Sequence, residues 1–542
     1  MIRKLIRVNS IAVVLLAAVF CLYPPVRAVL DIRDPALRQP GIPKAAWRLC
    51  RNLTPRYAKW AQARVVQGRA EALSTRDISG TEWPLFGSVF YLWGIDNLQT
   101  AWEAGDHPAG IEPKVFAKEA IIAAAELVID PKHASWVKKH WGEDYLHREN
   151  VFYRMLVIAA LTSREKLLHD GAHLDMLRDQ VETIAQELDA SKSGLLDDYP
   201  GECYPGDVMA AIMCIKRADA VLGTDHSRFI SRSLRGFTGV RATRHQLPPY
   251  SASSGNGFPT SEARGCANSY VCLTSPELWP VQAKQWYELH DRYFWQRRIT
   301  AVGFREFAND SSREHPKGPK DTRASLSAPG YHERSEGCDW GMDVDAGPVI
   351  AGHGVAASAF GVGAARKNGR FDRAYPLAAE LLATVGELPN GVLAMPRLLS
   401  NFSDAPMLGE AAILWQLSIQ PEKGFPTVSG GSVPAYVYIV LAGVFLFGTW
   451  RMLASVWAFR EAGRAPEPEV WVPNLQVAVW AGLVTGFAGS LWFGHGMMGV
   501  AMLLVALMLP IVKRKKAPSG VEGWPDARPG AAIAPPGVKE SP

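Results

Sequence analysis

Long apolar runs occur only at the two ends of this 542-residue chain, and that placement limits what it can fold into. At the start, Arg3, Lys4 and Arg7 precede the run Ile11–Tyr23, which closes at Pro24-Pro25 and leads to Val26-Arg27-Ala28. A basic flank, an apolar core of this length and a small residue after it are the order of an export signal. Residues 1–29 fit a cleaved signal peptide somewhat better than a spanning helix, and an uncleaved anchor stays open. At the other end, Val433–Trp450, Leu475–Phe493 and Met497–Val512 read as three transmembrane helices within 433–512, the last two joined by Gly494-His495-Gly496.

Charge orients these spans, because cytoplasmic flanks are rich in Lys and Arg. Arg451, Arg460 and Arg464 lie between the first and second C-terminal spans, and Lys513-Arg514-Lys515-Lys516 follow the third. The Gly-His-Gly turn carries neither residue type, so it belongs outside. This arrangement predicts an inner-membrane protein of bacterial type, with its main domain periplasmic or extracellular. Residues 513–542, rich in Pro, Gly and Ala, form a disordered cytoplasmic tail. Residues 1–29 contribute +4 and residues 433–542 contribute +3 to a net charge of +5, which leaves the segment between them at −2. The basic balance therefore belongs to membrane orientation, and nucleic acid is not expected as a partner.

The exported domain, 30–425, has helical periodicity. Lys114–Ile129, Asn150–Thr162, His173–Ala190, Asp207–Leu222, Val281–Phe294, Pro348–Lys367, Phe371–Val385 and Gly409–Ile419 carry apolar residues at three- and four-residue steps. Strand-like alternation is scarce. The expected class is all-α, an (α/α)6-type toroid of helical hairpins followed by the membrane helices, with an active site where inner-helix ends and loops converge. An open solenoid is the alternative, although no fixed-period repeat supports it. Cys50, Cys203, Cys214, Cys266, Cys272 and Cys338 permit disulfides in an oxidising compartment, and their pairing is not readable from sequence.

Chemistry-bearing residues gather in a few stretches. The richest is Asp197-Asp198-Tyr199-Pro200-Gly201-Glu202-Cys203-Tyr204-Pro205-Gly206-Asp207. Asp207 is placed to cap the following helix. Cys203, just upstream of that helix, is placed for its thiolate to be stabilised by the helix dipole, with Tyr204 beside it to exchange a proton; a disulfide or an inert buried thiol is the alternative. In Trp141–Asn150, His147 is a candidate base, with a solvated loop histidine as the alternative, and Glu149 and Tyr153, four residues apart, can share a cavity if both are helical. Arg264 offers a guanidinium to a carboxylate or phosphate, or pairs with a structural carboxylate, and Tyr270 follows it. Glu82 sits beside Trp83, an aromatic neighbour able to raise a carboxyl pKa. Asp343 and Asp345 in a Gly-rich loop suggest substrate contacts; a metal there with a histidine is less apt than turn formation, and no metal or other cofactor is expected. Gly352-His353-Gly354 and Gly361-Val362-Gly363 follow no strand pattern, so helix packing explains them better than a dinucleotide fingerprint.

In the order and spacing of four stretches, the exported domain resembles the linalool dehydratase/isomerase family. They are Glu149-Asn150-x-x-Tyr153; Gly194-Leu195-Leu196 with the Cys203 loop; Asn268-Ser269-Tyr270 leading to Asp291-Arg292-Tyr293; and Asp343-x-Asp345-x-Gly347 running to Gly369. The resemblance implies an α/α-barrel acting on terpene alcohols without a cofactor. Its catalytic aspartate falls at Glu82, its histidine near Leu156 and its two cysteines at about Asp197 and Gly206. The expected function is a membrane-anchored lyase or isomerase acting on a hydrophobic alcohol, with catalytic residues drawn from Glu82, His147, Asp198, Cys203, Tyr204 and Asp207. Trp83, Glu149, Tyr153, Arg264, Tyr270, Asp343 and Asp345 would contact substrate. A second expectation is an envelope-glycan hydrolase or epimerase, with Asp198 and Asp343 as its acid and base and Trp83, Trp93, Trp141 and Tyr204 stacking on sugars. A third is a non-enzymatic envelope assembly or binding protein. Oligomerisation is left open.

Overall fold

A computed structural model describes residues 2–108, 110–309, 340–343, 347–400 and 404–464, with isolated positions after 482. Apart from those positions, the expected spans Leu475–Phe493 and Met497–Val512 and the tail 513–542 lie outside the described residues, as do Cys338 and Asp345. The chain is mostly helical, 67% helix and 6% strand. Its contacts divide it into two units, Met1–Ser10 with Trp457–Pro542, and Ile11–Val456. In the first, the Arg7 guanidinium lies 5.4 Å from the Phe459 ring.

The N-terminal helix runs as α1 (Ile2–Ala17), a π-helical turn (Ala18–Leu22) and α2 (Tyr23–Ile32). Next come α3 (Lys44–Gln67), α4 (Ile78–Glu103), α5 (Pro113–Phe116), α6 (Lys118–Ile129) and α7 (Ser135–Trp141). The middle of the chain forms α8 (Val151–Leu168), α9 (Leu174–Ala190), α10 (Pro205–Leu222), α11 (Ser227–Ser233), α12 (Gly265–Leu278) and α13 (Pro280–Phe294). After α13, β1 (Trp295–Arg297) pairs antiparallel with β2 (Val302–Phe304), and β3 (Trp340–Asp343), β4 (Gly347–Ile350) and β5 (His353–Gly354) form a small antiparallel sheet. The last helices are α14 (Val355–Lys367), α15 (Phe371–Val385), α16 (Ala394–Ser400), α17 (Leu408–Ser418) and α18 (Ala435–Arg464).

Two kinds of helix alternate, and the sequence explains which is which. In α8, residues Val151 to Arg164 are buried on every side, as expected of a helix surrounded by others. In α9, only Leu177, Gln180, Val181, Ile184, Ala185 and Leu188 are buried, one stripe at helical spacing. Helices of the first kind touch in sequence: α4 packs on α8, α8 on α10, α10 on α12, α12 on α14, α14 on α17, and α17 on α4. Helices of the second kind lie against them, with α3 on α17, α6 on α4 and α8, α9 on α8 and α10, α13 on α12, and α15 on α14, and α3 and α6 also touch each other.

The structure corrects one helical reading and settles others. The stretch 348–367 is not one helix; it begins as β4 and β5, and α14 starts only at Val355. Ala351 (φ 53) and Gly352 (φ 84) are left-handed, which interrupts any helix through them. Gly361 and Gly363 do serve packing, since a Cβ on either would overlap Phe304 or Gln416. Cys50, Cys203, Cys214, Cys266 and Cys272 are buried thiols, with no disulfide among them.

Gly265 opens α12 with its N–H donating to the Glu306 carbonyl at 2.8 Å, and a Cβ there would collide with the carbonyl oxygen of Arg305. Main chain cannot yield as a flexible side chain does. Gly265→Ala is therefore expected to cost about 2–3 kcal/mol, read as a lowered midpoint in chemical denaturation of the full chain.

Two helical stretches, Arg7–Ile32 and Ala435–Glu461, are long and apolar enough to cross a membrane. The end of the first is built into the larger unit: Ala28 and Ile32 are buried, as is Leu37 just beyond it. Asp31 accepts from Arg27 at 2.6 Å and from Arg48 at 2.5 Å, and Arg48 also reaches Glu387 at 2.5 Å. Higher up, Gly448 of α18 meets Cys21 so closely that a Cβ would not fit.

Candidate active site

Asp197 to Tyr204 form a short hairpin before α10. Tyr199-Pro200-Gly201-Glu202 is its turn: Pro at the second position, Gly201 at φ 85 in the third, and the Glu202 N–H donating to the Tyr199 carbonyl at 2.8 Å. The Gly201 N–H donates to Asp197 Oδ2 at 2.8 Å, and Cys203 bridges to Ala252 through the Ala252 N–H at 3.0 Å. The turn sends Asp198 inward, where it is 1% exposed. One of its carboxyl oxygens accepts the Tyr204 N–H at 2.7 Å, and the backbone N–H of Phe152 also acts on the carboxyl.

Burial first, and then the charge of Asp207, push the Asp198 carboxyl well above the ordinary carboxylate range. Both causes favour the protonated form of Asp198, the form able to donate a proton. Asp207 itself is the third residue of α10, half-buried; the position before the helix is Tyr204, and Pro205 takes its first turn. That differs from Asp207 as a cap, because proline suits the first helical position, where no amide bond is lost.

Tyr199, which the sequence reading did not single out, hydrogen-bonds Glu82 near the start of α4. Burial, the Glu82 charge and then Asp198 and Asp207 hold its phenol well above the usual value, so it is a neutral donor. Cys203 is 1% exposed, and burial followed by the charges of Asp198, Asp197, Asp207 and Glu149 drives its thiol pKa upward. The expected dipole-stabilised thiolate does not form: desolvation and the surrounding carboxylates outweigh the end of α10. Tyr270, on α12, is buried with its hydroxyl unpartnered, and Asp207 acts on it electrostatically.

Aromatic rings pack against the two tyrosines of this group. Phe86 lies 5.9 Å from Phe152 and 6.4 Å from Tyr270, Tyr270 lies 5.7 Å from Phe360, and Trp136 lies 6.1 Å from Tyr199. Phe86 stands one helical turn after Glu82, the i,i+4 spacing through which the sequence could have shown it.

The remaining candidates lie elsewhere or do structural work. His147 is exposed and held by Asp144 at 3.0 Å and Asp179 at 3.2 Å, whose hydrogen bonds raise its pKa, the Asp144 bond most. Glu149 and Tyr153 do not share a helical face: Asn150, at φ 32, breaks the chain before α8. Glu149 instead accepts the Asp197 N–H at 2.8 Å, tying the hairpin down, and the buried Tyr153 hydroxyl donates to the Val128 carbonyl at 2.9 Å. Arg264 follows its structural alternative, bonding Glu306 at 2.8 Å and lying 4.4 Å from the Tyr250 ring. Tyr204 donates its hydroxyl to Glu202 at 2.9 Å. Trp83 is half-buried on α4 beside Glu82, and Trp93 is a core residue packed on Trp415. Asp343 ends β3 opposite Gly347. Among the described residues no group of three His, Cys, Asp or Glu is placed to hold a metal ion. A cleft of about 410 Å³ lies at α2, between Arg27, Asp31, Leu49, Glu387, Leu393 and Ile413, and none of the cluster residues lines it.

No family model matches the chain, and no curated protein matches it.

Proposed function

We propose that the protein is a membrane-anchored lyase or isomerase acting on a hydrophobic alcohol by acid–base chemistry, on an (α/α)6 toroid whose inner helices are α4, α8, α10, α12, α14 and α17. The resemblance to the linalool dehydratase/isomerase family supports this reading, as does the return of α17 onto α4. The observation that carries it is the buried Asp198 carboxyl, which burial and the charge of Asp207 push toward the protonated form, near the packed rings of Phe86 and Tyr270. Such a pair supplies both halves of a dehydration: an acid for the departing hydroxyl and a carboxylate for the proton on the neighbouring carbon. Asp198 is the donor and Asp207 the acceptor, while Tyr199, bonded to Glu82, relays or orients. Cys203, held as a thiol, shapes the site. The test is product analysis by mass spectrometry of the full chain incubated with lipophilic allylic alcohols and, in parallel, envelope glycans. Dehydrated or isomerised product with the first class supports the reading, and cleaved glycan alone overturns it.

The domain sits at the outer face of a membrane, as the Lys and Arg flanks require. Both Arg7–Ile32 and Ala435–Glu461 serve as anchors, and the first stays attached. The burial of Ala28 and the Arg27–Asp31–Arg48 ion pairs support retention, because processing after Ala28 removes Arg27 and the Cys21 contact to Gly448. Intact-mass measurement of protein extracted from membranes is expected to include residues 1–28; a mature chain starting at Val29 refutes retention.

A further inference from the structure

We infer that the bilayer reaches α16, whose exposed Met395 and Leu399 seat in the acyl layer of the leaflet nearest the domain, beside the chain's own apolar helices. This rests on reading Arg7–Ile32 and Ala435–Glu461 as anchors, and adds which face of the domain they hold against lipid. Both helices leave the larger unit at one end. Arg38, beyond α2, donates to the Tyr375 hydroxyl at 2.5 Å near the start of α15, whereas Pro24, Arg27 and Ala28 line the cleft with Leu382, Val385 and Glu387 at its end. The helix α2 is therefore antiparallel to α15, and α1 departs beyond the C-terminus of α15. The same course is taken by α18: Tyr438 hydrogen-bonds Tyr375, and further along Gly448 meets Cys21.

At that exit lies α16. Gly391 and Leu393, which lead into it, line the cleft together with Pro24, and Pro396 packs on Gly409 in the first turn of α17. Met395 and Leu399, four residues apart on one face, are 46% and 64% exposed. Val26 and Leu30 of α2 and Ile439, Val440 and Val444 of α18 fall between the Tyr438–Tyr375 and Gly448–Cys21 contacts, alongside the domain, and are exposed as well. Soluble surfaces rarely gather apolar residues in this way, so lipid covers them, which puts hydrocarbon at the level of α16. Charged groups at this level are paired, Arg397 with Glu410 and Arg48 with Asp31 and Glu387, which lowers the cost of contact with lipid. The helix α4 runs parallel to α17, with Gly87 at Leu408 and Gly94 at Leu414, so Glu82 lies at the α16 end and a lipophilic ligand would reach it from the bilayer. Val115, past the far end of α4, is exposed too. Exposure alone therefore does not select the face; the course of the two helices does.

Photo-crosslinking from single positions tests this. The probe is p-benzoylphenylalanine, placed in turn at positions 399, 444 and 115 of the full chain, all of them exposed, so that the fold is not disturbed. Each protein is reconstituted in vesicles of phosphatidylethanolamine and phosphatidylglycerol, irradiated, and weighed by mass spectrometry for covalent lipid adducts. Position 444 reports on the anchor itself, 399 on the seat of α16, and 115 on the opposite end of the domain. The expected result is adduct at 444 and at 399, each at least tenfold above that at 115. Adduct at 444 with 399 no higher than 115 overturns the seat and leaves the anchor reading standing. Absence of adduct at 444 sinks the anchor reading, and the seat of α16 falls with it.

Discussion

Asp198→Asn is expected to abolish turnover of a lipophilic alcohol while making the fold less sensitive to alkali. On the catalytic side, an amide keeps the shape and can still accept the Tyr204 N–H, but it has no proton to give. The loss of a general acid is typically worth roughly 10²–10⁴-fold in rate. The stability effect follows from the raised pKa of the carboxyl. In the unfolded chain Asp198 loses its proton near the usual value of about 3.9; in the folded chain it keeps the proton to higher pH. Between those two values the native state holds one more proton than the unfolded state, so stability falls as pH rises, by up to about 1.4 kcal/mol per pH unit. Below the unfolded pKa the contribution is fully present. The asparagine variant lacks this slope, so its denaturation midpoint is expected to match or exceed wild type at pH 8 and to lose its advantage toward pH 4. Denaturant titrations at both pH values read the sign directly. A variant that is equally active, or that shows the wild-type slope unchanged, means Asp198 is neither acid nor proton reservoir.

The Asp198 argument also shows what the sequence could and could not disclose. The stretch 197–207 stood out because its residue types are chemical; the Tyr-Pro-Gly-Glu turn within it follows from local preferences but was not read from the sequence. Helix α15 matches its expected bounds, Phe371–Val385, to the residue, since a one-sided apolar stripe is a local signal. Partners from distant segments were not legible. The Tyr199 contact with Glu82 depends on how α4 meets the hairpin, and the upward push on the Cys203 thiol depends first on burial and, beyond the neighbouring Asp198, Asp197 and Asp207, on the distant Glu149. The Glu149–Tyr153 pair and the long helix from Pro348 misread in the same way: both assumed continuous helix across residues whose φ is positive, a property that apolar spacing does not encode.

Glu277→Ala is expected to cause the largest loss of stability, about 3 kcal/mol at neutral pH. Its carboxylate joins three of the helices that surround the site. From α12 it accepts Arg217 Nε at 2.9 Å and Nη2 at 2.5 Å from α10, and Lys367 Nζ at 2.9 Å from the end of α14. The Arg217 guanidinium in turn lies 5.5 Å from the Trp93 ring of α4. Alanine leaves Arg217 without its partner in a half-buried position, whereas Lys367 retains Glu422 at 2.7 Å. The deficit therefore reflects mainly one stranded guanidinium, not two lost bonds. Burial alone would raise the Glu277 pKa, but Arg217 and Lys367 hold it well below the ordinary range. A depressed carboxyl contributes stability that is fully present above its unfolded pKa, near 4.3, and is lost as pH falls toward the folded value. Wild type and variant should thus differ most at pH 7 and converge in acid, the opposite sense to Asp198. Guanidinium titrations at pH 7 and pH 3 distinguish the two carboxyls. A constant gap across that range would mean that the alanine acts through lost packing, not through charge.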